Sequence, residues 1–212
     1  GIDILNMIYD YIENIVSENG DSDSYEEMAL QVSTTFAIEM PFDQVEYKKM
    51  SPAQMIDELY QAAVHAFNRK NERMAEVAYP FFKMFVEEGG EKGYKGVPVT
   101  DGKRVYGLNV DIEEAYKSKG KSISKAWQKA VLLRSIDESW KEHLRELDQL
   151  RQSVQNASYE QKDPLLIYKL ESYNLFSTML NTMNGKAISI LMRSQIPVRE
   201  NPEDQIQQAV AE

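Results

Sequence analysis

Two histidines are the only imidazoles in this 212-residue sequence, and it contains no cysteine. Thiol nucleophiles, thiolate metal sites and disulfides are thereby excluded. His143 has Glu142 beside it and Glu146 three residues on, a helical face that could offer one metal contact. A metal site needs three or four ligands, and no second histidine motif supplies them. His143 therefore reads as a surface or helix-interface histidine. His65, between Val64 and Ala66, reads as a packing residue. Gly-Glu-Lys-Gly-Tyr-Lys-Gly at 90–96 has glycines and lysines but lacks the spacing and the Lys-Ser/Thr ending that cradle a phosphate and its Mg²⁺. No spacing brings a serine, a histidine and an acid together. The expected catalytic and metal sets are both empty.

Charge is placed unevenly. The net charge is -10, yet residues 1–60 carry thirteen acids against two lysines, and the other 152 residues carry 22 bases against 21 acids. That distribution lacks the basic footprint of a general nucleic-acid binder. Lys117, Lys121, Lys125 and Lys129 recur every four residues with no acid between Lys117 and Arg134. Such a row is a solvated helix face or a surface for anionic lipid or acidic protein. Between 137 and 148, Glu142 and Glu146, like Lys141 and Arg145, are like-charged neighbours four apart, which predicts rows that do not support their own helix. A self-contained acidic adaptor, using residues 1–60 for a partner and the lysines on another face, fits these charges too.

The elements that must position these residues are mainly helical. Ile4, Leu5, Ile8, Ile12, Ile15 and Val16 predict a helix stopped at Asn19-Gly20. Its stripe starts at Ile2 with no cap before it, which predicts a longer helix cut short and a chain that is a fragment. A polar loop at 21–24 leads into a helix through Met28, Leu30, Val32 and Phe36 to about Met40. Asp43 with Glu46 forms a capping box, and Ser51-Pro52 with Gln54 opens a long helix to about Glu88. Pro80 is expected to kink or divide it. Val97–Thr100 and Lys103–Val110 predict a hairpin turned by the two residues Asp101-Gly102, with Pro98 keeping its strand at an edge. Asp111 caps a short helix ending at Gly120. From Ser122 to about Ala157 a stripe of Ile123, Trp127, Val131, Ile136, Trp140, Leu144, Leu147 and Val154 predicts about 50 Å of helix. Asp163-Pro164 opens its return partner, striped by Leu166, Leu170, Tyr173, Phe176, Leu180, Met183, Ala187 and Leu191 as far as Pro197. The fold class is thus mainly α: a helical wing with a small β-hairpin at about 97–110, and a long antiparallel two-helix hairpin. No run approaches the ~20 apolar residues of a membrane span, and no secretory signal opens the chain.

Ile-Asp-Glu-Ser-Trp-Lys-Glu-His-Leu-Arg-Glu-Leu-Asp-Gln-Leu-Arg-Gln-Ser-Val at 136–154, Tyr-Glu-Gln-Lys-Asp-Pro-Leu at 159–165 and Tyr-Lys-Leu-Glu-Ser-Tyr-Asn-Leu-Phe at 168–176 resemble the C-terminal region of SecA, the bacterial preprotein translocase ATPase family. The opening residues and Thr-Phe-Ala-Ile-Glu-Met-Pro-Phe at 35–42 add to the likeness. The resemblance implies that 1–20 is the distal end of a long scaffold helix, 21–120 a helical wing, 121–197 a two-helix finger and 198–212 a polar tail. It implies that the first finger helix, through Trp140, His143, Leu144, Leu147 and Arg151, lies against motor domains of the same longer chain. It also implies that a fingertip of Ser158, Tyr159 and Glu160 contacts unfolded preprotein at the SecYEG channel. ATP and Mg²⁺ would belong to the motor domains and zinc to a cysteine-containing tail, all outside these residues, so no cofactor is expected here. The implied place is the cytoplasm, peripherally at the inner face of the bacterial plasma membrane. The hairpin has no counterpart in the common family pattern and reads as an insertion in the wing.

Overall fold

The computed structural model describes residues 3–19, 24–89, 93–157 and 163–197. The chain forms two compact units, one of Gly1–Arg69 with Gln128–Arg193 and the other of Lys70–Trp127 with Ser194–Glu212. In chain order the elements are α1 (Ile4–Asn19), α2 (Tyr25–Phe36), α3 (Gln44–Tyr47), α4 (Pro52–Glu87), β1 (Tyr94–Thr100), β2 (Val105–Asp111), α5 (Ile112–Lys117), α6 (Lys121–Ala157) and α7 (Pro164–Arg193). The expected class, helices with one small hairpin, is what is found.

In the first unit, the apolar side of α1 is wholly inward: Ile4, Met7, Ile8, Ile12, Ile15 and Val16 are buried. Each such side chain contributes roughly 1.5–3 kcal/mol by leaving water. They meet Met28, Val32 and Phe36 of α2 and the last turns of α7, where Ala187, Ile188 and Leu191 are buried. Polar bonds finish the contact: Arg193 donates to the Ser33 carbonyl at 3.1 Å, and the Ser189 hydroxyl to the Thr34 carbonyl at 3.3 Å. Asn19 ends α1, as its type suggests, and then works as a bracket. Its amide donates to Gln31 at 2.9 Å, while its carbonyl accepts from the buried Tyr47 hydroxyl. The capping box at Asp43 is present, its Oδ1 accepting from Val45 and Glu46 at 2.8 Å. Ser51 and Gln54 exchange the same reciprocal bonds at the start of α4.

In the second unit, Met74, Ala75, Ala78 and Phe82 of α4 face Val97, Val99, Leu108 and Val110 of the β-hairpin, Ala115 of α5, and Ile123 and Trp127 of α6 in burying one core. Tyr106 lies against Trp127 at 5.2 Å and Tyr79 stacks on Tyr116 at 6.2 Å. A two-stranded ribbon is marginal alone, and this packing is what holds it. Gly120 is required where α5 gives way to α6. Its φ is +82°, and a Cβ there would stand 2.6 Å from the Ala75 carbonyl oxygen.

Four local expectations are corrected. α2 stops at Phe36, because Ala37 turns left-handed (φ 53°) and donates back to Ser33 at 3.1 Å. Pro80 does not divide α4, which is one helix through Glu87. Pro80 lies on its exposed side, where a freed carbonyl turns to water instead of protein. The hairpin turn has four residues, not two, since Thr100 pairs with Val105. Asp101 builds it: its Oδ1 accepts from the Lys103 and Arg104 amides at 2.9 and 2.8 Å, and its Oδ2 from the Tyr106 hydroxyl at 3.0 Å. Burial works against that carboxylate, but these donors, the Arg104 amide foremost, outweigh it and hold its pKa below the ordinary value. Finally, His65 is exposed, not packed.

Candidate functional site

α6 and α7 return on each other as an antiparallel hairpin in the first unit. His143 meets Phe176, and Leu132, Ser135 and Ile136 stand beside Met183 and Ala187; both pairings are symmetric about 158–162. Asp163 caps α7 as predicted, its Oδ1 accepting from Leu165 at 2.9 Å. The surprise lies in which side faces in.

Along α6 the inward line is Val131, Ser135, Ser139 and His143, then half-buried Leu147 and Leu150, then Val154. It is short and partly polar. The larger residues that the stripe placed inside stay partly open: Ile136 is 37%, Trp140 48% and Leu144 47% exposed, with Leu133 next to them at 58%. α7 repeats the pattern. Leu166, Leu170, Tyr173, Phe176 and Leu180 are exposed, with Tyr173 70% open, and only the last turns from Gly185 to Met192 reach the core. α7 also ends at Arg193 instead of running to Pro197. The helix pair thus hides serine and histidine while leaving leucine and tryptophan partly open.

His143 is 3% exposed, so it belongs to the hairpin interface and not to the surface. It sits between the Trp140 ring at 5.6 Å and the Phe176 ring at 5.8 Å, and its Nδ1 has no hydrogen-bond partner among the described residues. Among the described residues no carboxylate gathers there: Glu142 pairs instead with Arg145 at 2.9 Å. The five residues assigned together on α6 are thus divided. Trp140, Leu144 and Arg151 face out, His143 faces in, and Leu147 is half-buried. Ile136 also borders a cavity of about 180 Å³ lined by Met7, Leu132, Ser135, Met183 and Ala187.

The charged rows support their helix, against expectation. Arg134 pairs with Glu138 at 2.8 Å and Lys141 with Asp137 at 2.6 Å. Alternate partners three and four residues away outcompete the like-charged neighbours, each exposed pair contributing under about 1 kcal/mol. Lys117, Lys121, Lys125 and Lys129 are all exposed, as expected. Lys117 pairs with Glu113 at 3.3 Å, while among the described residues no acid pairs with the other three. Lys70, which the sequence did not single out, is half-buried in α4 with no acid paired to it among the described residues, and burial pushes its pKa down to about 7. Ser158, Tyr159 and Glu160 lie outside the described residues, as does the tail from 198. Among the described residues no helix is long and apolar enough to cross a membrane.

The first unit thus carries a helical hairpin with large apolar residues left open to water, and the second unit carries the β-hairpin. The chain belongs to the SecA wing and scaffold domain family, whose pattern matches residues 2–195. It is 49% identical over 212 residues to the protein translocase subunit SecA of Parabacteroides distasonis and 50% identical over 214 to that of Phocaeicola vulgatus. That of Christiangramia forsetii is 36% identical over 198 residues, or 92% of this chain. The first two likenesses cover 99% and 100% of the chain but 19% of each relative, so the chain spans about a fifth of the length of these proteins.

Proposed function

We propose that this chain is the non-catalytic scaffold and wing module of an ATP-driven preprotein translocase. In this reading 1–20 is the end of a scaffold helix, 21–120 the wing and 121–197 the finger. The outward face of α6 and α7 docks on motor domains elsewhere in the same longer protein and restrains their ATP hydrolysis. The fingertip at Ser158, Tyr159 and Glu160 meets unfolded preprotein at the SecYEG channel, and the row Lys117, Lys121, Lys125 and Lys129 faces an anionic lipid or protein surface. ATP and Mg²⁺ act in the motor, and the assembly works from the cytoplasm at the inner face of the plasma membrane. The observation that supports this most is the outward apolar face from Leu133 to Leu144 and from Leu166 to Leu180. Much of it stays open to water within its own unit, with Leu133, Leu166 and Leu170 more than half exposed, and the relatives are about five times longer than the chain.

The test is made in the longer protein. Trp140→Ala with Leu144→Ala should raise ATP hydrolysis severalfold in the absence of preprotein. Tyr159→Ala should reduce preprotein translocation while hydrolysis persists. Unchanged hydrolysis and unchanged translocation across these variants would remove both assignments.

A further inference from the structure

The two edges of the β-hairpin are treated differently by the fold. Thr100 donates its N–H to the Gln195 carbonyl at 2.8 Å and accepts from the Gln195 N–H at 2.7 Å. The backbone groups of Thr100 therefore point away from β2, and by the two-residue period so do those of Pro98, Gly96 and Tyr94. The opposite phase follows from the bonds that flank the ladder. Asp101 donates to Arg104 at 3.3 Å and Ile112 to Gly93 at 2.9 Å, so even-numbered residues of β2 face β1. Val105, Gly107 and Asn109 must then turn their N–H and C=O groups to the outer side.

The edge of β1 is closed. Gln195 occupies its end as an isolated antiparallel bridge. The next bonded rung would set Pro197 opposite Pro98, and neither has an N–H, so the pairing cannot grow. The edge of β2 has none of the usual protections. It carries no proline and no bulge, its register with β1 is unbroken from Val105 to Asp111, and Val105, Gly107 and Asn109 are exposed. Among the described residues no hydrogen bond is made by their outward groups. Gly107 presents no side chain there, and a Cβ at that position would meet nothing within 4 Å.

We propose that the outer edge of β2 accepts an extended polypeptide segment as a third strand, recognised through its main chain. The molecule itself supplies the precedent, because an extended segment of its own chain, at Gln195, already adds to the opposite edge. Three rungs, at Val105, Gly107 and Asn109, each give one donor and one acceptor. Recognition of this kind tolerates many sequences, since the main chain makes the bonds and side chains of the guest alternate between the open and the core-facing sides of the sheet. This goes beyond the fingertip contact and does not depend on it.

The experiment uses the 212-residue chain and a fluorescein-labelled seven-residue peptide of alternating Val and Thr/Lys, read by anisotropy. A second peptide is N-methylated at alternate residues, which deletes its donors without changing its side chains. The unmodified peptide should bind saturably and the N-methylated one at least about tenfold more weakly, as loss of two or three backbone bonds implies. Asn109→Pro removes one outward N–H and should weaken binding about tenfold, whereas Asn109→Ala should stay within about twofold. Hydrogen exchange of the β1–β2 amides reports whether the proline variant keeps the hairpin, and the peptide pair decides the matter if it does not. Equal binding of both peptides, no binding at millimolar peptide, or sedimentation showing that a second copy occupies the edge in a dimer lost with Asn109→Pro would each overturn the proposal.

Discussion

α1 and α6 have the same helical period and comparable apolar stripes, yet they spend them in opposite directions. Ile8, Ile12, Ile15 and Val16 are buried in their own unit, while Ile136, Trp140 and Leu144 stay between a third and a half exposed and Ser135 and His143 take the inside. The difference separates two meanings of amphipathicity. In α1 the apolar stripe is a term in the stability of the fold. In α6 and α7 much of it stays open, and the hairpin is held by a thin inner line plus the last turns of α7 against α1 and α2.

Stability measurements can break that comparison. Ile12→Ala removes a fully buried side chain and should cost about 3–4 kcal/mol in urea unfolding. Next in size is the half-buried cation Lys70. The unfolded chain holds the Lys70 proton to about 10.5, whereas the folded chain releases it near 7. Between those values the unfolded state binds more protons, so stability should rise with pH from about 7 toward 10, and below 7 the penalty is complete. Lys70→Met should flatten that rise and add on the order of 2 kcal/mol at pH 7, a figure lowered for the part of the side chain that still reaches water. Smallest is Trp140→Ala: the ring is half exposed and touches His143, and its loss should cost about 1 kcal/mol, well under the loss at Ile12. A loss at Trp140 matching that at Ile12 would show that its ring supports the fold, and the contrast would fail.

Much of the architecture was legible because capping is local chemistry. Asp43, Ser51, Asp111 and Asp163 each announce a helix by a side chain that can reach amides two or three residues on, and each does so in the structure. The hairpin was legible from its alternation, but its turn was not. Asp-Gly suits two residues until Asp101 finds two amides and a tyrosine to bind. The direction of the α6 stripe was illegible for a deeper reason. Hydrophobicity ranks Ile136, Trp140 and Leu144 above Ser135, Ser139 and His143, and that ranking holds only if the partner is within reach. The buried Ser135 and half-buried Ser139 sit at four-residue spacing with His143, a polar line that a hydrophobicity ranking passes over. Gly120 was read as a stop, although its close approach to Ala75 could not be inferred from a single strand of text.

The central claim is that the outward face of α6 is an interface in the longer protein. Trp140 is 48% exposed and Trp127, the other tryptophan, is 4% exposed, so quenching by a soluble quencher reports on Trp140 almost alone. Iodide quenching should be measured on the 212-residue chain and on the longer protein carrying it, with Trp127→Phe in both and any tryptophans elsewhere in the longer protein replaced. The account predicts efficient quenching in the chain and a severalfold smaller quenching constant in the longer protein. Equal quenching in both would contradict it, because the face would then be as open in its full setting as it is here.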